Sequence, residues 1–304
     1  MSQEYFPKIS IVTPSFNQAT FLEQTIQSVL NQNYPNLEYI IIDGGSTDGS
    51  VEIIKKYEKY LHFWCSEPDG GQYDAINKGF AHSSGEIMAW LNSDDMYCPW
   101  AFRTVASIML QLPNVKWLTT LNPGLWDYQG FCSGFASVPG FSREAFLRGA
   151  YLPPLERPTI SWIQQESTFW RRSLWEEIGS KIRSEFKLAG DFDLWTQFYL
   201  HTESLFGTIS PLGGFRVQKY QRARNNMEFY LEEAIHSLQG LQEAFGYSPR
   251  FQETLALKLG LHKVPKIKSR IRKKLSFTGQ KIVKTNPSCP DNFWTIENYN
   301  FYYV

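Results

Sequence analysis

The chain has 304 residues, of which 42% are hydrophobic and 16% aromatic, and its 30 basic and 30 acidic residues give a net charge of zero. A chain of this length can bury the core of one large domain or of two moderate ones. No apolar run reaches the roughly 18 residues of a membrane span, and the polar N-terminus does not resemble a signal peptide. The four dispersed cysteines form no Cys-x-x-Cys pair, which argues against a zinc site or a disulfide scaffold and favours a reducing, cytoplasmic compartment.

Strand and helix patterns alternate through the first hundred residues. Helical spacing of apolar residues predicts helices at 19–32, 51–60 and 72–81. Apolar and β-branched runs predict strands at 9–13, 37–42, 62–65 and 87–91. Short loops join these segments, and such an alternation is typical of an α/β fold with a mostly parallel central sheet flanked by helices.

Acidic residues follow three of the four predicted strands, as Asp43, then Glu67 with Asp69, then Asp94 with Asp95. Ligands of open α/β sheets bind at the carboxyl ends of the strands, so these acids are expected on one rim. Each aspartate alone can also be read as a helix cap. Two adjacent carboxylates are unfavourable without a positive partner, which a divalent cation supplies. Glycine-rich phosphate loops are absent from the sequence, which favours phosphates held through a metal.

Four motifs carry a resemblance to a known family. They are IVTPSFN at 11–17, IIDGGSTDGS at 41–50, DGGQYDAINKG at 69–79 and NSDD at 92–95. In this order they resemble the family 2 glycosyltransferases, which are inverting enzymes with the GT-A fold. The resemblance covers roughly residues 8–215, and we therefore expect a GT-A-like domain over residues 1–218.

The resemblance implies a nucleotide site along the rim. Pro14 and Asp43 would contact the base, and Asp94 would contact the ribose. The loop that begins at Asp69, with Asn77 behind it, would form the wall beside the base and the diphosphate. The complete implied set is Pro14, Asn17, Asp43, Ser46, Asp69, Gln72, Asn77 and Asp94.

In the family's metal motif, Asp95 is implied as the ligand of Mg²⁺ or Mn²⁺. Asn92 stands where many relatives have a further Asp, so the resemblance assigns the metal to Asp95 alone. Family members often carry a His just after an arginine that aligns with Arg216, and Gln218 lies close to that position here. Arg216, with Arg222 and Arg224, could reach the diphosphate or could lie on a solvated surface.

The second half begins with a predicted helix that ends at Gln111 and a strand at 115–121. Residues 122–161 are rich in Gly, Pro and aromatic residues and show no clear period, so they are either a lid or acceptor-binding loop or a plain structural excursion. A further helix is expected from Ser173 to Ile178. The ten tryptophans and sixteen tyrosines could stack on sugar rings or fill the core.

Asp191 opens the next predicted helix, which extends to about Leu200. An acid in this place is an ordinary helix cap. The family, however, has a Glu-Asp pair just before a helix, and its second acid acts as general base. Gly190 replaces the Glu in this chain, so only Asp191 is implied as catalytic, with Asp193 as an alternate that could orient the backbone.

Residues 219–304 are expected to form a C-terminal helical extension. Apolar residues recur at helical spacing at 226–245 and 250–261, and residues 262–284 carry nine Lys or Arg and no acid. An apolar stripe at 264–275 with cations on the other faces predicts either a helix on an anionic membrane or a solvated helix packed on the core. In the membrane interpretation, residues 264–284 would contact the anionic surface. Residues 292–304 are aromatic and receive no assignment.

The leading hypothesis is an inverting, metal-dependent glycosyltransferase that moves a sugar from a nucleoside diphosphate sugar to an acceptor hydroxyl. A glycan or lipid-linked glycan acceptor in bacterial surface polysaccharide or glycolipid synthesis is expected, at the cytoplasmic face of the membrane and without a nucleic-acid partner. One rival is a nucleotidyltransferase, although its glycine-rich first turn with a basic residue is absent. The other rival is a non-catalytic nucleotide-sugar-binding relative.

Overall fold

A computed structural model of the chain describes residues 5–153, 161–219, 225–248, 276–285 and 293–302. Its first hundred residues follow the predicted alternation, and helix α3 has the predicted bounds. The elements are β1 (Ile9–Ser15), α1 (Ala19–Leu30), β2 (Leu37–Asp43), α2 (Ser50–Tyr57), β3 (Phe63–Ser66), α3 (Gln72–Ala81) and β4 (Ile87–Trp90).

The second half is less regular and contains shorter strands. In the described part of the segment without a clear period, residues 122–153 and 161, there are two short strands and one short helix. The elements are β5 (Met96–Tyr97), α4 (Ala101–Gln111), β6 (Trp117–Thr120), β7 (Gly124–Trp126), β8 (Cys132–Phe135), α5 (Arg143–Leu147), β9 (Phe169–Arg171), α6 (Arg172–Glu177), α7 (Gly190–His201), β10 (Phe206–Thr208), β11 (Gly213–Arg216), α8 (Met227–Ala244), β12 (Ser276–Lys284) and β13 (Trp294–Tyr302).

Nine strands of the described residues form one sheet in the order β13-β12-β10-β6-β9-β4-β1-β2-β3. The pairs among β3, β2, β1 and β4 are parallel, whereas β9 runs antiparallel between β4 and β6. Strands β1 and β4 are buried along their whole length, which explains their continuous apolar runs. The predicted α/β class with a mostly parallel sheet is confirmed.

A second sheet, in the order β5-β11-β7-β8, packs beside the carboxyl end of β4. Two glycines in β11 allow close approach of its neighbours. A Cβ at Gly213 would lie 2.5 Å from the carbonyl oxygen of Glu166, and one at Gly214 would overlap the indole nitrogen of Trp126 in β7. A larger side chain at 213 would therefore push the second sheet away from the Glu166 turn, and one at 214 would separate β11 from β7.

Much of the aromatic content fills the core. Trp90, Trp117, Trp170 and Trp195 are fully buried, and the rings of Trp90 and Trp195 stack with centroids 6.1 Å apart. Such pairs add stabilisation beyond the area they bury. For these tryptophans the core interpretation is confirmed.

The predicted C-terminal helical extension is correct for α8 and wrong for the last described residues. Strand β12 pairs parallel with β10, and β13 pairs antiparallel with β12, so both belong to the central sheet. Phe277, Gly279 and Ile282 are the buried residues of β12. Because successive side chains of a strand alternate, Ile282 lies on the opposite face from Phe277 and Gly279. The predicted amphipathic stretch 264–275 and helix 250–261 lie outside the described residues. No helix in the described ranges is long and apolar enough to cross a lipid bilayer.

Candidate active site

Asp43 ends β2 and organises the loop that follows it. Its buried carboxylate accepts hydrogen bonds from the backbone N–H of Gly45 (3.1 Å) and of Ser46 (2.8 Å), from Ser46 Oγ (2.6 Å) and from Ser66 Oγ (2.7 Å). A carboxylate has about four lone-pair positions. Three of these bonds reach Oδ2 and one reaches Oδ1, so a base contact by Asp43 is best accommodated at Oδ1.

The loops after β1 and β2 are joined at Asn17. This residue has a positive φ of 52°, a conformation that asparagine tolerates better than most residues. Its backbone N–H donates to Ser46 Oγ at 2.7 Å, and its Oδ1 accepts from the backbone N–H of Thr47 at 2.9 Å. Pro14, still inside β1 and opposite Ile42, completes this part of the rim. The structure thus brings Pro14, Asn17, Asp43 and Ser46 together.

The third loop places Asp69 next to the Asp43 loop. Oδ1 of Asp69 accepts from the backbone N–H of Gly71 at 2.8 Å, while its Oδ2 lies 3.1 Å from the position of a Cβ on Gly44. Burial raises the pKa of Asp69, and repulsion from Asp74 and Asp43 adds to the rise. Asp69 is therefore a rim carboxylate close to the predicted nucleotide residues.

Asn92 links three polar side chains at the centre of the rim. Its Oδ1 accepts from Gln72 Nε2 at 2.8 Å, and its Nδ2 donates to Asp95 Oδ2 and to Gln165 Oε1, each at 3.2 Å. An amide can donate to a carboxylate, which an ionised aspartate cannot do. The Asn found where relatives carry Asp thus supplies a donor to Asp95 in place of a like charge.

Asp95 lies at the bottom of the rim with only 1% of its surface exposed. Its Oδ1 accepts from the backbone N–H of Arg216 at 2.8 Å. Burial raises the pKa of Asp95 well above the usual range, and the charges of Asp94 and Glu166 raise it further. An ionised Asp95 consequently needs a positive partner at this place.

Glu166 is a site residue that the sequence did not indicate. It is buried in a short 3-10 turn at Gln165–Ser167, and its carboxyl group shares a hydrogen bond with Asp95. Burial raises its pKa to about 7, and the charges of Asp191 and Asp94 act in the same direction. Its spacing matches no motif, and the tight packing against Gly213 that directs it to the rim is a long-range contact.

Asp94 and Arg216 close the second side of the centre. Gln218 Nε2 donates to Asp94 Oδ2, so the residue near the family's His position does contact the acidic pair. Arg216 Nε donates to the carbonyl of Asp94 at 2.6 Å and its Nη1 to the carbonyl of Tyr128 at 3.0 Å. Because Arg216 is fully buried, the surface interpretation is wrong for this arginine, which holds the Asp94–Asp95 turn. Arg222 and Arg224 lie outside the described residues.

The carboxylate oxygens at this centre fit a Mg²⁺ or Mn²⁺ ion that is held partly by the protein and partly by substrate phosphates. Within the described ranges, no group of three or more His, Cys, Asp or Glu side chains forms a complete protein cage for a metal. These ions, however, commonly use one or two carboxylates together with substrate phosphates and water. Asp95, with Asp94 and Glu166 beside it, offers such oxygens and carries carboxyl groups whose pKa values are raised by burial.

Asp191 lies in the first turn of α7. Its Oδ1 accepts from the backbone N–H of Phe192 at 2.8 Å and from the hydroxyl of Tyr230 at 3.2 Å. Burial raises the pKa of Asp191 to about 6, which leaves the carboxylate ionised at neutral pH and better able to accept a proton than an ordinary aspartate.

The ring of Tyr73 explains why Gly190 precedes Asp191. A Cβ at position 190 would lie 2.6 Å from this ring, whose hydroxyl donates to the carbonyl of Leu188 at 2.7 Å. The space of the family's glutamate is therefore filled by an aromatic side chain. Asp193, the alternate acid, is buried in an ion pair with Arg183 and accepts from Ser237 Oγ at 2.6 Å, so its carboxylate is occupied.

One predicted residue is directed elsewhere. The side-chain amide of Asn77 bonds the backbone N–H and carbonyl of Ile182, each at 2.8 Å, and so fastens the segment before α7 to α3. At the centre of the rim, Glu166 contacts Asp95, and the charge of Asp191 raises the pKa of Glu166. A cleft lined by residues 70–74, 184, 186 and 187 opens beside Gln72.

Comparison with known proteins agrees with the resemblance. Residues 10–115 match the model for Glycosyl transferase family 2. Over these residues the chain is similar to this family. A glycosyltransferase of Rickettsia prowazekii is 33% identical to it over 197 residues, which are 64% of this chain and 59% of the relative. One from Mycobacterium tuberculosis is 45% identical over 92 residues, and the teichuronic acid biosynthesis glycosyltransferase TuaG of Bacillus subtilis is 39% identical over 94 residues; each match covers 30% of this chain.

The chain spans only part of those relatives, since its alignments cover 35% of the mycobacterial protein and 37% of TuaG. Solved structures extend the likeness in fold. Staphylococcus aureus TarS 1-349 in complex with UDP-GlcNAc has a TM-score of 0.58 at 15% identity, covering 88% of this chain and 77% of TarS. The Pyrobaculum calidifontis mannosyltransferase PcManGT, in complex with GDP-Man and Mn²⁺, has a TM-score of 0.51 at 18% identity, covering 88% and 84%. These likenesses confirm the GT-A-like fold.

Proposed function

We propose that this chain is an inverting glycosyltransferase that moves a sugar from a nucleoside diphosphate sugar to an acceptor hydroxyl. The observation that carries the proposal is the acidic centre of Asp94, Asp95 and Glu166, in which the pKa of Glu166 is also raised by the charge of Asp191. A proton acceptor and a phosphate-binding centre are the two parts that a single displacement at an anomeric carbon requires.

The reaction that this arrangement supports is one displacement. The acceptor oxygen forms a bond to the anomeric carbon while the bond from that carbon to the diphosphate oxygen breaks, with inversion. The hydroxyl proton goes to the carboxylate of Asp191, whose pKa of about 6 suits a base at neutral pH. When bound at Asp95 beside Asp94 and Glu166, Mg²⁺ or Mn²⁺ would neutralise charge that develops on the leaving diphosphate.

For the donor, the proposed nucleotide residues are those of the rim, from Pro14 and Asn17 to Gln72 and Asp94. Support comes from the nucleotide sugars named in the TarS and PcManGT structures, UDP-GlcNAc and GDP-Man. Support for a glycan acceptor in surface polysaccharide synthesis comes from TuaG, which is named for teichuronic acid biosynthesis. We propose action at the cytoplasmic face of the membrane, which the basic stretch 264–275 would favour by binding anionic lipid.

Donor binding is tested by thermal unfolding of the full chain with UDP or GDP, each with and without Mn²⁺. A ligand at about 100 times its Kd stabilises by about 2.7 kcal/mol, which corresponds to a rise in Tm of about 5 °C for a protein of this size. Asp95→Asn should remove the Mn²⁺-dependent part of the rise. Glu176→Gln, which removes an exposed carboxylate from α6, is the charge-matched control and should leave the rise unchanged.

Transfer is tested by screening nucleotide sugars for release of the nucleoside diphosphate, in the presence of glycan acceptors. Release with inversion at the anomeric carbon supports the proposal. Absence of any thermal shift with every nucleotide contradicts it, and shifts without release under any acceptor support the non-catalytic alternative instead.

A further inference from the structure

Helix α8 presents three polar side chains to the segment that contains Asp191. Tyr230, Glu233 and Ser237 are three and four residues apart, so they lie on one face of the helix. Tyr230 donates to Asp191 Oδ1 at 3.2 Å, and Ser237 Oγ donates to Asp193 Oδ1 at 2.6 Å. This face lies outside residues 10–115, the part of the chain that the family model matches.

Glu233 holds the turn that leads into α7. Its carboxylate accepts from the backbone N–H of Lys187 at 2.7 Å, of Leu188 at 2.8 Å and of Ala189 at 2.9 Å. Three donors from consecutive residues fix the path of the backbone directly before Gly190. A negative charge is also favourable at this place, because the amino end of a helix carries partial positive charge.

The two contacts act on different parts of the same group. Glu233 fixes the backbone from which the Asp191 side chain projects, and Tyr230 fixes one of its two carboxylate oxygens. The Phe192 N–H donates to that same oxygen, Oδ1. Oδ2 is then the oxygen directed to the acceptor, and proton transfer requires it within hydrogen-bond distance of the acceptor hydroxyl.

We propose that Tyr230 and Glu233 are positioning residues for the general base, and that α8 is therefore a part of the catalytic apparatus. This inference rests on the proposed function, in which Asp191 accepts the acceptor's proton. It assigns to α8 a role beyond packing, although Ala234, Leu238 and Leu241 of the same helix are buried in the core.

Titration distinguishes a positioning role from a packing role, because Tyr230 and Glu233 change the pKa of Asp191 in opposite directions. The groups that face Asp191 are Tyr230 and Glu233 from α8, Tyr73 from α3 and Glu166 from its 3-10 turn. The hydrogen bond from Tyr230 lowers the pKa of Asp191, whereas the charge of Glu233 raises it. Loss of the first contact should raise this pKa, and loss of the second charge should lower it.

The experiment is a carboxyl ¹³C NMR titration of Asp191 in the full chain, with the pH profile of kcat/KM measured in parallel. Tyr230→Phe should raise the pKa of Asp191 by about 0.5 to 1 unit, and Glu233→Gln should lower it by a similar amount. The acid limb of the pH profile should move by the same amounts. At the pH optimum, Tyr230→Phe should reduce kcat by about tenfold without a change in the KM for the donor.

Two matched variants control for general effects. Glu232→Gln removes an exposed charge from the neighbouring position of α8, and Tyr60→Phe removes an exposed hydroxyl far from the rim. Neither variant should change the pKa of Asp191. If Glu233→Gln fails to fold, Tyr230→Phe decides alone, because it removes one oxygen and leaves the ring in place.

Unchanged titration in both variants, or shifts in the same direction, would overturn the inference. The NMR titration does not depend on turnover, so it also separates this inference from the proposed function. If Asp191→Asn keeps full transfer activity, the general-base assignment fails, whereas opposite NMR shifts would still show that α8 controls this carboxylate.

Discussion

The parallel strands of the central sheet carry buried carboxylates at both their amino ends and their carboxyl ends, in different surroundings. At the amino ends, Glu38 of β2 accepts from the backbone N–H of Ser84 at 2.7 Å, from Ser84 Oγ at 2.5 Å, from Ser10 Oγ at 2.7 Å and from Lys8 Nζ at 3.1 Å. Burial alone would raise the pKa of Glu38, but these donors outweigh it and lower the value to about 2.

At the carboxyl ends of the strands, burial outweighs the hydrogen bonds that lower the pKa. Burial is the largest influence on Asp94, Asp95, Glu166 and Asp191, and it raises the pKa of each. The charges of Asp94 and Glu166 raise the pKa of Asp95 further. The comparison shows that burial does not by itself decide what a carboxylate does. Hydrogen-bond donors around Glu38 stabilise its ionised form, so this residue stabilises the fold. The rim carboxylates have fewer donors, so their ionised forms favour binding of a cation or a proton.

The contributions of Glu38 and Asp191 to the free energy of unfolding should change with pH in opposite directions. The pKa of Glu38 is lower in the folded chain than in the unfolded chain, so its stabilisation is present above pH 4.5 and is lost as the pH falls towards 2. The pKa of Asp191 is higher in the folded chain, so its ionisation reduces stability as the pH rises from about 4 to about 6.

The largest expected effect is that of Asp191→Asn. Removal of the proton acceptor should reduce transfer by about 10³-fold or more, while donor binding stays unchanged. The same change should increase the free energy of unfolding at pH 7.5 by about 1 kcal/mol, because a neutral amide replaces a buried charge. Steady-state kinetics and thermal unfolding check the two parts. A variant that is inactive and less stable would contradict the comparison.

The second-largest effect is expected for Glu38→Gln, near the amino end of β2. Loss of the charged acceptor should reduce the free energy of unfolding by about 3 kcal/mol at pH 7. The difference from wild type should shrink as the pH falls from 4.5 to 2, because wild-type Glu38 is then protonated. Urea unfolding at several pH values measures this. A difference that stays constant with pH would show that charge is not the cause.

A third prediction concerns the space beside Asp191, the proposed general base. Gly190→Ala should reduce the free energy of unfolding by about 2 kcal/mol, because the new Cβ would lie 2.6 Å from the Tyr73 ring. Gly240→Ala in α8 is the matched control, since no atom lies within 4 Å of its Cβ position. That control should stabilise the helix by about 0.5 to 1 kcal/mol. Equal effects of the two changes would refute the packing explanation.

The smallest effect is expected for an exposed carboxylate. Glu23 of α1 pairs with Lys56 of α2 near the surface, and both side chains are more than one-third exposed. Glu23→Gln should change the free energy of unfolding by less than about 0.5 kcal/mol, and less still in high salt. Unfolding at low and high ionic strength checks this. A loss as large as that of Glu38→Gln would remove the distinction between buried and exposed carboxylates.

Local sequence information was sufficient for the order of the early elements and for the acidic strand ends. Continuous apolar runs and helical spacing, with turn residues between them, predicted α3 at the bounds Gln72–Ala81 and placed Asp43, Asp69 and Asp95 at or just after the ends of their strands. These features depend on neighbours within a few residues, which the sequence itself displays. The resemblance then directed attention to Asp191.

Only the tertiary structure decided which side chains meet at the rim and how they are partnered. It brought the missed Glu166 to Asp95, turned Asn77 towards Ile182, filled the space at Gly190 with Tyr73 and placed Tyr230 against Asp191. It also made β12 and β13 strands of the main sheet. Each of these contacts joins residues far apart in the chain, and their geometry follows from packing, which local periodicity does not specify.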